Sequence, residues 1–262
     1  MCKSISSKNK YTLVLDDDGI YVEQFDSTNN DENRFNRNNI IFTEGKTFTY
    51  AFEHIDKNNS KKSFKYIDSI SNWEFVPFFK YDKDKIAQIT ITVKKGLNPL
   101  IKMIPDYNQT ILSYSYQSKF GLGDFGSFSG VIENENNVWM HPPRDEYFKI
   151  LELNPFPYIK SPNKIGNSWS WALSIGEYWA DPRWKVWNGA IENSYHYEIT
   201  DRVILDTNFG KIKCLVVESS AKSRLGETKL ISYFNKKYGF VKLSYTNIDS
   251  SKTNLRLIKV HK

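Results

Sequence analysis

YHYEITDRVILDTNFGKIKCLVVESSAKSRLGETKLISYFNKKYGFVKLSY, residues 195–245, decides the fold. Four runs rich in β-branched and aromatic residues lie in it: Tyr195–Val203, Ile212–Glu218, Lys229–Phe234 and Phe240–Tyr245. Turn signals separate them. Asn208-Phe209-Gly210 joins the first two runs, Leu225-Gly226-Glu227 the next two and Tyr238-Gly239 the last two. Short strands joined by tight glycine-bearing turns make an antiparallel meander.

The order of these pieces resembles the C-terminal half of the TapB-like β-sheet domains. It runs as a Thr-Asn-Phe-Gly turn, a Lys-x-Cys-x-x-Val-Glu strand, a Gly-Glu-Thr hairpin and a final Tyr-Phe-Asn-Lys-Lys-Tyr-Gly-Phe-Val-Lys-Leu stretch. Tyr233, Phe234, Gly239, Val241 and Lys242 match the last strand of those domains, while Tyr238 stands where they have a small residue. The resemblance covers the last third of the chain. It implies a β-sheet fold and a bacterial envelope setting, and it implies no activity.

Upstream of the meander, further short runs alternate with turns. Tyr11–Leu15 and Ile20–Phe25 flank Asp16-Asp17-Asp18-Gly19 as a hairpin. The acidic turn lacks the alternating spacing and distal Glu of a calcium loop. Ser27–Asn39 is a polar loop. Ile40–Phe42, Thr47–Ile55, Ser63–Ile67, Trp73–Phe79 and Ile86–Val93 read as strands, with Phe48, Tyr50 and Phe52 on one face of the second. Gly96–Pro99 is a connection, and Ile101–Ile104 and Thr110–Gln117 are strand candidates. Phe120–Gly130 alternates Gly and Phe without a Gly-Lys-Ser/Thr ending, so it reads as a flexible or bulged loop and not a phosphate loop. After Pro142-Pro143 a short helix is expected from Arg144, with Tyr147, Ile150 and Leu151 on one face; an extended segment is the alternative. Tyr158–Asn167 reads as a loop, and Ser168–Ile175 and Val186–Ile191 as strands. The expected organisation is a tether over 1–10, a first β region over 11–130, and over 131–262 a TapB-like C-terminal β region with a Trp-rich insert. The fold class is all-β: a large antiparallel meander curled into an open half-barrel or two packed sheets, with at most one or two short helices.

Composition limits the function classes. The 262 residues are 40% hydrophobic, 15% aromatic and 25% charged, enough for a sizeable core without staples. The net charge of +6 is spread through the strands and not gathered in a stripe, which argues against nucleic acid. No apolar run is long enough to span a bilayer. Cys2, followed by a polar Ser-rich stretch, resembles the lipidated start of a mature bacterial lipoprotein; the alternative is an ordinary start with a chance cysteine. Membrane contact is therefore expected only through such an anchor, and the location is the cell envelope, periplasmic or surface-exposed, with the cytoplasm as alternative. Cys214 sits inside a strand pattern and reads as a buried small hydrophobe. His54, His141, His196 and His261 are scattered, so no metal site or cofactor is expected.

The tryptophans are concentrated, with six of seven between residues 139 and 187. Trp169 and Trp171 share a strand face, and Trp179, Trp184 and Trp187 sit in a Pro-bearing loop expected to lie across a sheet. Such indoles either close the core or line an amphipathic cleft. The site expected here is lined by Trp139, Trp171, Trp179, Trp184 and Trp187, with Arg144 as a rim charge, for a lipid, a glycan or an envelope protein. A carbohydrate-active hydrolase using paired acids among Asp145, Glu146, Glu177 and Asp181 is the alternative reading.

Overall fold

The computed structural model describes residues 13–15, 19–23, 39–82, 84–94, 109–117 and 125–262. The tether with Cys2, the Asp16–Asp18 turn, most of the polar loop, the Gly96–Ile104 stretch and the first half of the Gly/Phe alternation lie outside them. Sixteen strands are present among the described residues. They are β1 (Leu13–Leu15), β2 (Tyr21–Glu23), β3 (Thr47–Ile55), β4 (Lys61–Ile67), β5 (Asn72–Pro77), β6 (Gln88–Val93), β7 (Thr110–Gln117) and β8 (Phe125–Glu133). The second half adds β9 (Asn137–Met140), β10 (Tyr158–Lys160), β11 (Ser168–Ile175), β12 (Ile191–Thr207), β13 (Gly210–Ser223), β14 (Gly226–Asn235), β15 (Gly239–Thr246) and β16 (Lys252–His261). One eight-residue 3-10 helix, Glu146–Leu153, and 3-10 turns at Asp68–Ile70 and Glu177–Trp179 accompany them among the described residues.

Twelve strands form one antiparallel sheet in the order β10-β9-β8-β7-β6-β3-β16-β15-β14-β13-β12-β11. It curls into a nearly closed barrel. The β4–β5 hairpin branches from the end of β3, and β1–β2 is a separate two-stranded piece. Register shifts at Ile199/Asp201, Tyr233/Phe234 and Leu257/Lys259 supply the extra local twist that a curling sheet needs. At the seam, the edge strands β10 and β11 meet through side chains. Tyr158 lies 5.5 Å from both Trp169 and Tyr197, and Asn167 donates from Nδ2 to the Lys160 carbonyl at 3.2 Å.

Alternation sets inside and outside. Along β12, Ile191, Asn193, Tyr195, Tyr197 and Ile199 are buried, while Glu192, Ser194, His196 and Glu198 face outward. Along this stretch of β12 the inward side chains are mainly aromatic and aliphatic and the outward ones polar or charged. Trp169 pairs with Tyr197 and Trp171 with Tyr195, and each pair stacks across the strands, at 5.3 Å and 4.8 Å. Cys214 is buried, as its strand pattern requires, and burial pushes its thiol up to about 11.

Several expectations are corrected. Phe125–Gly130 is not a loop but the first part of β8. A Cβ on Gly126 would lie 2.8 Å from the Tyr114 carbonyl oxygen, so glycine serves close strand approach there. Ile40–Phe42 is not a strand, because the Glu133 carboxylate takes its backbone amides: Ile40 N–H at 2.9 Å, Ile41 N–H at 2.8 Å and Phe42 N–H at 2.8 Å. Tyr158–Lys160 is β10 and not loop, since β9 offers it an edge. Val186–Ala190 is not strand; only Ile191 of that expected run begins β12. Strand β16, which the turn-and-run reading passes over, joins β15 to β3 and so links the two halves of the chain in one sheet.

The interior is filled by the chain between β9 and β10. Tyr147, Phe148, Ile150, Leu151, Glu152 and Leu153 of the 3-10 helix are all buried. Phe148 meets Phe52 of β3, Phe64 of β4 and Tyr116 of β7 at 5.1, 6.0 and 4.8 Å. The same segment reaches β12 and β14, where the Leu153 carbonyl accepts from Asn193 Nδ2 and the Thr228 hydroxyl. Tyr197 donates its hydroxyl to the Phe156 carbonyl. Only a position inside the barrel lets one short segment touch strands on opposite sides. Asn154, fully buried, donates to the Thr246 carbonyl at 2.9 Å and the Lys229 carbonyl at 3.4 Å. Asn154→Ala is expected to destabilise the protein by about 1–3 kcal/mol, because it strips partners from buried backbone groups; equilibrium urea unfolding measures it.

Candidate functional site

The Trp-rich loop, residues 176–190, joins β11 to β12. Its form follows from local bonds. Asp181 takes the forked guanidinium of Arg183 at 2.9 and 2.8 Å and the Arg183 amide at 2.8 Å. Glu177 accepts from the Gly189 amide at 2.7 Å. Trp184 donates its indole N–H to the Trp179 carbonyl at 3.2 Å and sets its ring edge-on to Tyr147 at 5.6 Å. The Arg144 guanidinium lies 4.9 Å from the Trp179 ring centroid. Asp145 caps the 3-10 helix by accepting from the Glu146 amide at 2.9 Å. Of the four acids in the hydrolase reading, Asp145, Glu177 and Asp181 are thus engaged in holding local backbone or Arg183.

Beneath this loop opens a cleft of about 550 Å³. One wall is aromatic, made by Trp73 and Phe75 of β5, Tyr147 of the internal helix and Trp184. A second wall is the turn between β15 and β16. There Asp249 accepts from the Tyr147 hydroxyl at 3.1 Å and from the Ser251 hydroxyl at 2.6 Å, and the two hydroxyls lie 2.9 Å apart. His54, from the end of β3, stacks on Phe75 at 3.8 Å and stands edge-on to Tyr147 at 5.2 Å. Its Nδ1 is buried without a hydrogen-bond partner. Burial, only partly offset by Asp249 and Asp56, holds the ring down to about 4, so it is neutral at physiological pH. Arg183, Lys185 and Lys62 supply positive charge at the edge. The cleft therefore combines apolar ring surface, a carboxylate–hydroxyl cluster and cations.

The six residues expected from sequence are distributed over more than one place. Trp184 lines the cleft, with Trp179 behind it and Arg144 against Trp179. Trp139 and Trp171 meet edge-on at 6.2 Å and pack with Phe156 in the barrel interior, 2% and 5% exposed. Trp187 is buried as well, at 5%. His54, Tyr147, Asp249 and Ser251 were not singled out by the sequence. Among the described residues, no group of three or more His, Cys, Asp or Glu side chains is arranged to hold a metal ion. No described helix is long and apolar enough to cross a membrane.

A separate polar cluster lies inside the barrel. Glu152, 2% exposed, accepts from Arg144 Nε at 3.1 Å, and His141 Nδ1 is 3.5 Å from the same oxygen. Burial pushes the Glu152 carboxyl up to about 7 despite the guanidinium, and burial together with Arg144 drives His141 well below the usual imidazole range.

No family model matches this chain, and no curated protein does. Among solved structures, it is similar to a Bacteroides fragilis protein described as exported with a YmcC-like fold, at 11% identity, TM-score 0.41, over 84% of this chain and 97% of that one. It is similar to a Parabacteroides distasonis protein described as a lipoprotein, at 11% identity, TM-score 0.38, over 85% and 99%. The Escherichia coli lipoprotein YmcC is a third, at 9% identity, TM-score 0.36, over 84% and 86%. At these identities and TM-scores the likenesses establish neither family nor function.

The raised carboxyl makes a pH-dependent prediction. Between about pH 4.5 and 7 the folded state keeps a proton on Glu152 that the unfolded chain has released, so this group lowers stability as pH rises through that window. Relative to wild type, Glu152→Gln is expected to gain up to about 3 kcal/mol between pH 4.5 and pH 7.5. Urea unfolding of both proteins across that range reads the difference, and a pH-independent difference contradicts it.

Proposed function

We propose that this chain is a non-enzymatic cell-envelope β-barrel protein that binds an amphipathic ligand, lipid or glycan, or a partner presenting one, in the cleft beneath the Trp-rich loop. The observation that carries the reading is the cleft itself. Its volume of about 550 Å³ falls in the ordinary range of small-molecule sites, and such sites join apolar walls to a few placed polar groups. Here Trp184, Phe75 and Tyr147 offer ring surface while Asp249 and Ser251 offer acceptors and a hydroxyl. The Asp181–Arg183 fork and the Trp184–Trp179 bond hold the loop in place before a ligand arrives, which lowers the ordering cost of binding. Trp139, Trp171 and Trp187 belong to the core and not to this cleft, and Arg144 reaches it only through Trp179. The TapB-like final strands support the envelope setting, and Cys2 with its polar tether supports a lipid anchor as the sole membrane contact.

The test is titration of the folded protein with short-chain lysophospholipids and with oligosaccharides, followed by intrinsic tryptophan fluorescence. A saturable response to one class is expected, weakened at least about tenfold in Asp249→Ala, since a hydrogen bond to a charged group contributes roughly 1.5–3 kcal/mol. Absence of a saturable response to either class contradicts the reading. Mass spectrometry of protein purified from its own envelope reads the lipidation of Cys2, and an unmodified Cys2 removes the anchor.

A further inference from the structure

A second cavity, of about 230 Å³, is lined by Gln109 before β7, Ser129 of β8, and His141 and Arg144 of the internal segment. Its polar lining is under-used. Ser129 is 6% exposed, and its hydroxyl has no hydrogen-bond partner. His141 Nδ1 is buried and has none either. Arg144 commits Nε to Glu152, and its backbone N–H donates to the Tyr116 hydroxyl at 3.2 Å; its terminal nitrogens have no acceptor among the described residues. Buried polar groups in folded proteins are nearly always paired, so the unpartnered Ser129 hydroxyl beside the open terminal nitrogens of Arg144 marks a place shaped for a polar guest.

We propose that this cavity binds the carboxylate of a small organic acid, held by the terminal nitrogens of Arg144 and the hydroxyl of Ser129. A guanidinium presents its donors as a planar fork that fits a carboxylate in two parallel bonds. Water alone would satisfy the hydroxyl, but it does not match the planar fork that the two terminal nitrogens of Arg144 present beside their Nε bond to Glu152. The volume suits an acid of a few carbons. Phosphate is less well suited, since a second negative charge finds no second cation in the lining.

Binding is linked to a proton through Glu152. The groups facing Glu152 are His141 and Arg144 from its own segment, Tyr195 from β12 and Tyr245 from β15. Burial keeps the imidazole neutral and raises both tyrosines well above their ordinary range, so near neutral pH Glu152 is the member of this cluster that titrates. A bound carboxylate repels the charge on Glu152 and competes for the same guanidinium. Glu152 then takes up a proton, and affinity falls as pH rises from about 6 to 8.

The experiment is isothermal titration calorimetry with butyrate, benzoate and inorganic phosphate, in two buffers of different ionisation enthalpy. One-to-one binding of the carboxylates is expected, with net proton uptake and up to about a tenfold loss of affinity between pH 6 and pH 8, the equivalent of one pKa unit. Arg144→Lys, which keeps the charge but loses the fork, and Ser129→Ala, a small change in β8, are each expected to weaken binding at least several-fold, the Ser129→Ala protein at unchanged melting temperature. Glu152→Gln is expected to abolish the proton uptake. No saturable heat with either carboxylate overturns the proposal, as does binding indifferent to both Ser129→Ala and Arg144→Lys, or phosphate binding as tight as carboxylate. Proton uptake that persists in Glu152→Gln overturns the linkage. The loop cleft is read separately by fluorescence and Asp249→Ala, so failure at one site is distinguishable from failure at the other.

Discussion

A barrel of this many strands cannot fill its own interior. Eight strands enclose a space that strand side chains just fill, and the diameter grows with strand number. With twelve strands in the curled sheet, something else must occupy the middle, and here it is the chain from His141 to Pro157. That segment carries irregular backbone into an apolar interior, where unpaired carbonyls are costly. The barrel wall therefore supplies side chains aimed inward to meet them. Asn193 and Thr228 serve the Leu153 carbonyl, Tyr197 serves Phe156, and Tyr114 serves His141 at 2.6 Å. In return, Asn154 of the segment donates outward to the carbonyls of Thr246 and Lys229. Filling the lumen and pairing its backbone are one problem with one solution, and both candidate sites are by-products of it. Tyr147 leaves the segment toward the loop cleft, and Arg144, His141 and Glu152 face the smaller cavity and the buried cluster.

How much of this was legible in the sequence depends on how local the signal is. Strands β12 to β15 were readable because each has a period-two pattern bounded by glycine turns, and the turns at Gly210 and Gly239 require the positive φ of 87° and 73° that glycine accepts freely. The helix after Pro142-Pro143 was readable as a place but not as a geometry. Six of its eight residues are buried, all but Glu146 and Lys149, so a one-faced amphipathic reading understates it. Strand β16 was lost because its alternation of Thr253, Leu255 and Leu257 breaks at the Leu257/Lys259 register shift. Ile40–Phe42 misled for the opposite reason: three hydrophobes in a row suggest a strand, but Glu133, over ninety positions away, claims their amides.

The site was legible only in part, and the lost strand explains why. Pairing of β16 with β3 is what sets His54 opposite Thr253 and carries the Asp249–Ser251 turn to the mouth of the barrel. Without β16 nothing in the sequence relates His54 to Asp249. The tryptophan concentration, by contrast, was visible at once, and it reports two physical jobs at the same time. Trp139, Trp169 and Trp171 stack in the interior near the seam, while Trp179 and Trp184 shape the loop above the cleft. Composition cannot separate those jobs, since both use the same large, rigid ring.

Residues 141–157 are a structural filler of the barrel and not a surface strap. Native-state hydrogen exchange followed by mass spectrometry tests it most directly. If the segment fills the lumen, its hydrogen-bonded amides, such as Phe148 N–H to the Asp145 carbonyl and Asn154 N–H to the Leu151 carbonyl, open only with the surrounding strands. Peptides spanning 146–157 are then protected to the level of peptides from β12 to β15. Exchange of those peptides as fast as the exposed Asp56–Ser60 turn contradicts the account.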